Sequence, residues 1–248
     1  MDAVTTRHQP VRLRHELKRR LLTVSAVERV TPQMLRLHFT SPELHDFHSP
    51  SHDDHIKLFF PGDSDKPEMR DYTPRLFDAE RGTLAIDFAL HEAGPATQWA
   101  ETAKPGDTLQ IGGPRGSTVV PDDFDWYLLI GDETALPSIG RRVEELRESV
   151  PVTTFVVGDA QHFETCANWT PHWIARETGI DEVAALRAAL SGFTPPPGDG
   201  FVWIAAEAAV ARSLRAYILD ERGHPRAWTK AAGYWKRGEA DAHEKIED

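Results

Sequence analysis

Hydrophobic positions along the chain fall into two regimes. Up to about residue 122 they come in short bursts with partial alternation: LLTVSAVERV, MLRLHFT, HIKLFF, RDYTPRLF, TLAIDFALH and DTLQIGG. Period-two alternation marks strands with one buried face. Thr31-Pro32, PGDSDKP and DAERG between them carry turn chemistry. Six such strands predict a small antiparallel β-barrel over residues 21–122. From residue 123 the pattern changes. WYLLIGD, VTTFVVGD and FVWIAAE are continuous apolar runs, as expected of strands covered on both faces. Helical periodicity follows each of them: through Ile139, Val143 and Leu146, then DEVAALRAALSG with Gly192 as its stop, then AAVARSLRAYILDERG. Alternating strands and helices predict an α/β domain with a parallel sheet over 123–248. The first 20 residues hold Arg7, Arg12, Arg14, Lys18, Arg19 and Arg20 among few apolar positions, which predicts a basic, solvated N-terminal arm.

Composition narrows the function classes. At 248 residues the chain accommodates two modest domains, each with its own core. The formal charge is -11, from 28 basic and 39 acidic residues, which removes the basic footprint that nucleic-acid binding demands. An anionic ligand must therefore be met by a local basic cluster. No window approaches the roughly 18 apolar residues of a membrane span. The N-terminal stretch lacks the apolar core of a secretory signal. Cys166 is the only cysteine, so no intrachain disulfide can form. The expectation is a cytoplasmic monomer without a membrane or nucleic-acid partner.

Two stretches carry the chemistry. In MRDYTPRLFD, strand alternation puts Arg70 and Tyr72 on one face and Thr73 and Arg75 on the other. An arginine fork suits pyrophosphate oxygens, and a tyrosine covers an aromatic ring face. In HEAGPATQWA, Gly94 and Pro95 open a helix whose first free N–H groups would hold a phosphate. A flat ring, a diphosphate and a helix N-terminus together describe a flavin dinucleotide site. The second domain lacks G-x-G-x-x-G and a P-loop. In their place stand IGDETALPSI and AAE at strand ends, where α/β sheets bind ligands.

Arg-x-Tyr-Thr-x-Arg followed by Gly-Pro-Ala-Thr resembles the flavin-binding barrel of the ferredoxin reductase superfamily. Within it, HIKLFFP, HEAGPATQWA, GDTLQIGGPRGS, GDETALPSIGRRVEEL, VWIAAE and AAGYWKRG resemble the siderophore-interacting proteins, FAD-dependent ferric-siderophore reductases. The likeness runs from about residue 21 to 238; Glu92 departs from it where glycine is the commoner residue. The resemblance implies that FAD is the cofactor, NADPH or NADH the donor, and a ferric siderophore the substrate. It implies that Arg70 and Arg75 serve the flavin phosphates or ring edge, Tyr72 packs on the ring and Thr73 bonds a ring heteroatom. Asp87, Phe88 and Leu90 would border the cofactor, and His91, Ala96, Thr97 and Trp99 would hold its diphosphate and adenine end. Asp132, Glu133, Thr134, Ala135, Ala206 and Glu207 would line the nicotinamide crevice. Lys57, Lys236 and Arg237 would hold the anionic iron complex. A general flavin or electron-transfer reductase and a non-catalytic siderophore carrier stay open, although intact GDETALP and AAE stretches favour an enzyme.

Two other features look chemical. His45, His48, His52 and His55, with Asp53 and Asp54, crowd one loop but lack metal-site spacing, so no metal is expected there. Cys166 has no resolving partner, so an incidental thiol is expected.

Overall fold

The computed structural model describes residues 7–61, 67–90, 94–238 and 244–246. The first half contains β1 (Val11–Arg14), β2 (Arg19–Thr31), β3 (Met34–Thr40), β4 (Ile56–Phe60), β5 (Glu68–Tyr72), β6 (Pro74–Asp78), β7 (Thr83–Ala89), α1 (Pro95–Thr102), β8 (Thr108–Gly112) and β9 (Gly116–Val119). Alternation becomes one-sided burial: Leu35, Leu37 and Phe39 of β3, and Ile56, Leu58 and Phe60 of β4, all point into one core. The sheet runs β5-β4-β8-β2-β3-β7-β6 with antiparallel neighbours. Its two edges, β5 and β6, are separated in the chain by Thr73 alone, so the edges meet and the sheet closes. Counted as one bent strand, they make the sixth stave of the expected barrel. Pro74, which has no N–H to donate, opens β6 at the bend. Helix α1 packs on β7, β3 and β4. Its Trp99 reaches the core rings Phe39, Phe60 and Phe88.

The second half contains β10 (Trp126–Asp132), α2 (Leu136–Glu145), β11 (Pro151–Val157), β12 (Asn168–Ile174), α3 (Glu182–Ser191), β13 (Gly200–Glu207), α4 (Ala208–Ala216), β14 (Thr229–Trp235) and β15 (Glu244–Lys245). The strand order is β12-β11-β10-β13-β14-β15, parallel except for the last pair. Central β10 and β13 are buried along their whole length, as their unbroken apolar runs require. One face of the sheet packs on α3 and α4 through Leu186, Leu190 and Leu214. The other packs on α2 through Leu136, Ile139 and Val143, and on Met34 and Val120 from the first half. The β11–β12 connection carries no helix.

The N-terminal segment departs from the expected arm. From residue 7 onward it is bonded to the body. His8 stacks on Phe124 at 3.9 Å and sits between Asp123 and Asp199. β1 pairs antiparallel with β9, and Arg20 is buried against Asp46 at 2.7 Å. Arg7, Lys18, Arg19 and Arg20 of this stretch find carboxylate or carbonyl partners, which a count of charges alone does not reveal. Strands β1, β9, β12 and β14 lay outside the expected set because they are short, polar or built from small residues.

The histidine-rich loop before β4 is the seam between the halves. Asp53 accepts from Trp203 Nε1 at 3.0 Å and pairs with Lys230 at 2.5 Å. Asp54 accepts from Ser49, Ser51 and Ser117. Arg141 of α2 donates to the Ser49 and Pro74 carbonyls. His45, His48 and His52 take separate partners: the Ala79 carbonyl, the His15 ring and the Ser138 carbonyl. Among the described residues no three acidic, histidine or cysteine side chains gather as metal ligands. Cys166 is exposed. No helix among them is long and apolar enough to cross a membrane.

Burial pushes the His52 imidazole down to about 3, with the Asp53 carboxylate opposing and the Arg142 and Lys230 charges reinforcing the fall. Folded His52 is therefore neutral where the unfolded chain protonates at about 6.5. Its contribution to stability is complete above that value and is lost as pH falls toward 3. Between pH 6 and 4 the unfolding free energy of the wild type is expected to fall with decreasing pH more steeply than that of His52→Gln, by up to about 1.4 kcal/mol per pH unit. Urea titrations across that range read the two slopes; equal slopes would mean that His52 carries charge in the folded state.

Candidate functional site

Helix α1 starts at Gly94, which has no side chain to cap it. Pro95 lacks an N–H, and the first helical bond is made by Gln98 to the Gly94 carbonyl at 2.9 Å. The amides of Ala96 and Thr97 are thus left without a helical acceptor or a side-chain cap, the donor arrangement that a phosphate fits. Tyr72, at the end of β5, is half-buried with its ring 4.6 Å from Phe88. Phe88 is fully buried beneath it, so it backs the tyrosine and does not border a ligand itself. Burial pushes the Tyr72 phenol above its ordinary value, which keeps it neutral. Arg70 on the same face pairs with Glu68, a half-exposed and readily displaced partner, at 2.9 Å. A ring platform, a guanidinium fork and uncapped amides are the groups an FAD needs, and the residues fit it.

The opposite face of the same strand does other work. Thr73 Oγ1 lies 3.0 Å from Ser138 Oγ, which lies 3.0 Å from the Tyr234 hydroxyl. Arg75 is buried and clamps Glu144 of α2 through two bonds of 2.6 and 2.7 Å. This corrects the flavin role expected of Arg75. Alternation turns it toward α2, where Gly140 leaves room; a Cβ there would stand 2.9 Å from the guanidinium. Asp87 is corrected likewise. It is buried in a two-bond pair with Arg36, at 2.6 and 2.8 Å, and Arg75 approaches it at 3.8 Å. The indole of Trp99 anchors α1 to the barrel core. His91 and the neighbouring Glu92 lie outside the described residues.

A cleft of about 880 Å³ opens where the parallel strands end. The sheet order doubles back between β10 and β13, and the cleft runs from the end of β10 over the ends of β11 and β12, the carboxyl side at which such sheets take nucleotides. The β2–β3 turn (Thr31, Gln33, Met34) and Leu90 wall it from the barrel side. Glu133, Gly158, Asp159, Trp173 and Arg176 wall it from the sheet side. Gly131 permits the tight passage from β10 to α2: a Cβ there would meet the Ala205 carbonyl at 2.6 Å. Of the expected crevice residues, Glu133 lines the cleft and bonds Arg176 at 2.5 Å. Burial pushes its carboxyl up, against the pull of Arg176. Asp132 is committed elsewhere: it accepts from the Thr134 hydroxyl, the Trp235 indole and the Glu207 amide. Glu207 caps α4 through the amides of Ala209 and Val210. Ala135 and Ala206 are fully buried. These residues shape the crevice floor. Trp173 and Arg176 were missed because β12 was; the alternation in NWTPHWI is the signal that could have found them.

The three expected substrate residues lie at two elements distant in the chain. Lys57 sits on β4, 3.0 Å from Asp71. Lys236 follows β14 and is half-buried, while exposed Arg237 lines the cleft.

Two family models match the chain: "Siderophore-interacting FAD-binding domain" over residues 23–68 and 60–118, and "Siderophore-interacting protein" over 124–238. The NADPH-dependent ferric-chelate reductase of Escherichia coli (strain K12) is 34% identical over 93% of this chain and 98% of its own length. A mycobactin import ATP-binding/permease protein of Mycolicibacterium smegmatis is 31% identical over 91% of the chain, which spans 27% of that longer protein. The crystal structure of a siderophore utilization protein from T. fusca superposes with a TM-score of 0.87 at 35% identity, covering 94% of this chain and 98% of that one.

Removing the Arg75 clamp should loosen the seam. Arg75→Met is expected to lower the unfolding free energy by about 2–4 kcal/mol, because it strips a buried guanidinium from half-buried Glu144 and from the neighbourhood of buried Asp87. A double-mutant cycle with Glu144→Gln, read by urea denaturation, should give a coupling of about 1 kcal/mol or more. Additive losses would mean that the two side chains act independently.

Proposed function

The chain belongs to the siderophore-interacting protein family, and on that premise we propose that it is an FAD-dependent ferric-siderophore reductase driven by NADPH or NADH. The carrying observation is that a barrel with uncapped amides at Ala96 and Thr97 and an Arg70–Tyr72 strand face is followed by a parallel sheet whose strand ends open into a cleft. Ala96 and Thr97 donate to the diphosphate of FAD, and Arg70 exchanges exposed Glu68 for a phosphate oxygen. Tyr72, backed by Phe88, covers one face of the ring. Met34 and Leu90 keep water from the junction of barrel and cleft. Glu133 and Leu136 hold the nicotinamide nucleotide where the sheet order reverses.

When bound, FAD would supply the redox chemistry that couples a two-electron nicotinamide donor to one-electron reduction of a pair of Fe(III) ions. Lys57, Lys236 and Arg237 attract the anionic iron complex at short range, since the net charge of -11 repels it from afar. A hard-oxygen chelate grips Fe(II) less tightly than Fe(III), so reduction frees the iron. A nicotinamide donor implies the cytoplasm as the working compartment.

The FAD-loaded chain is expected to bleach anaerobically with NADH or NADPH and to regain its colour with a ferric siderophore, while a ferrous trap collects a pair of Fe(II) per nicotinamide. Reduction of the flavin without any transfer to ferric chelates would replace this reading with a general flavin reductase. Arg70→Ala should weaken FAD retention about tenfold or more without changing the circular dichroism spectrum. Full retention in that variant would remove Arg70 from the cofactor site.

Lys57→Ala should leave flavin content and flavin reduction near wild type and raise KM for an anionic ferric siderophore several-fold. Salt should slow the wild type more than the variant. An equal loss with a neutral quinone acceptor would assign Lys57 to the flavin or to the fold.

A further inference from the structure

The reductase reading leaves the choice between NADH and NADPH open, and the cleft contains the means to decide it. Its described walls carry four carboxylates, Glu133, Asp159, Glu177 and Glu182, against two guanidiniums, Arg176 and Arg237. Arg176 is already engaged twice, by Glu133 at 2.5 Å and by Glu182 at 2.7 Å, and both carboxylates are almost wholly buried. Among the described residues, three buried polar atoms on the cleft walls have no hydrogen-bond partner: Asp159 Oδ2, Glu182 Oε2 and Gln161 Nε2. Two of these are acceptors that want a donor, which a hydroxyl supplies and a phosphate does not.

Position tells which hydroxyl. Asp159 follows Gly158 directly at the end of β11, the strand next to β10 and second in the order of this sheet. In open parallel sheets, a carboxylate at the end of the second strand bonds the 2′-hydroxyl of the adenosine ribose, and a free arginine there takes a 2′-phosphate instead. Here the arginine on that side is not free. A 2′-phosphate would have to expel Glu133 or Glu182 from Arg176, leaving a buried carboxylate unpaired beside a new dianion. Arg237 leaves the sheet from β14, three strand spacings or about 14 Å from β11. It stands nearer the nicotinamide end of a nucleotide laid across the strands.

We propose that Asp159, with Gln161 beside it, reads the ribose diol of NADH and that the paired Arg176 excludes NADPH, so that this reductase is NADH-selective. The inference rests on the reductase reading and goes beyond it.

The test uses the FAD-loaded full chain. NADH should exceed NADPH in kcat/KM by about tenfold or more, mainly through KM, since like-charge repulsion and a lost hydroxyl contact act on binding. As inhibitors against NADH, 5′-ADP should bind more tightly than adenosine 2′,5′-bisphosphate. Asp159→Asn should raise KM for NADH, lower it for NADPH and bring their ratio toward one, with kcat little changed. A wild type that prefers NADPH, or an Asp159→Asn variant with an unaltered ratio, would overturn the inference. If that variant fails to fold, the inhibitor comparison on the unsubstituted chain decides, tighter binding of the bisphosphate counting against the inference. Failure of both nucleotides to reduce the flavin is a different result: it would bring down the reductase reading and the selectivity with it.

Discussion

A closed barrel requires its edge strands to meet, and here a single residue makes the meeting. Thr73 joins β5 to β6, which are opposite edges of the same sheet. The bend at this residue also decides which side chains face where. Arg70 and Tyr72 before it stay on the barrel's outer rim, whereas Thr73 and Arg75 turn to α2. The same bend sets the position of α2 through Ser138 and Glu144, and α2 begins where the nucleotide cleft opens. Closure of one domain and placement of the other are therefore one geometric event.

Electrostatics tightens that event. An acidic chain has few cations to place, and several of them are buried: Arg20, Arg75, Arg141 and Arg142. Buried pairs of this kind add little net stability, because desolvation offsets most of the attraction, but a missing partner is heavily penalised. Each therefore favours one relative placement of the elements it joins over its neighbours. Arg75 with Glu144, Arg141 with Ser49 and Pro74, and Lys230 with Asp53 act in this way at three points along one interface.

The barrel was legible because period-two burial is a local signal, and it survives in Leu35-Leu37-Phe39 and Ile56-Leu58-Phe60. The central strands β10, β11 and β13 were legible because burial on both faces leaves an unbroken apolar run. The helix start at Gly94-Pro95 and the strand bearing Arg70 and Tyr72 could be read for the same reason: each is short and contiguous. What could not be read depends on partners far away in the chain. Nothing near Arg75 announces Glu144, and nothing near His52 announces the Ser138 carbonyl. Strands β12 and β14 are held by neighbours already in the sheet, so their own sequences need little hydrophobic signal. The place of the histidine loop at the seam was hidden for a related reason, since a run of polar residues reads the same whether it faces a metal, water or another domain.

The missing helix between β11 and β12 has a consequence for how this architecture is passed on. That side of the sheet is covered by α2 and, beyond it, by Met34 and Val120 from the barrel half. The two halves have separate folds but share one wall. A recombination event that exchanged residues 123–248 for those of a distant relative would carry Arg141, Glu144, Trp203 and Lys230 without Ser49, Pro74, Arg75 and Asp53, the residues that complete them. Inheritance should therefore treat the pair as one unit, with drift on one side of the wall answered by drift on the other.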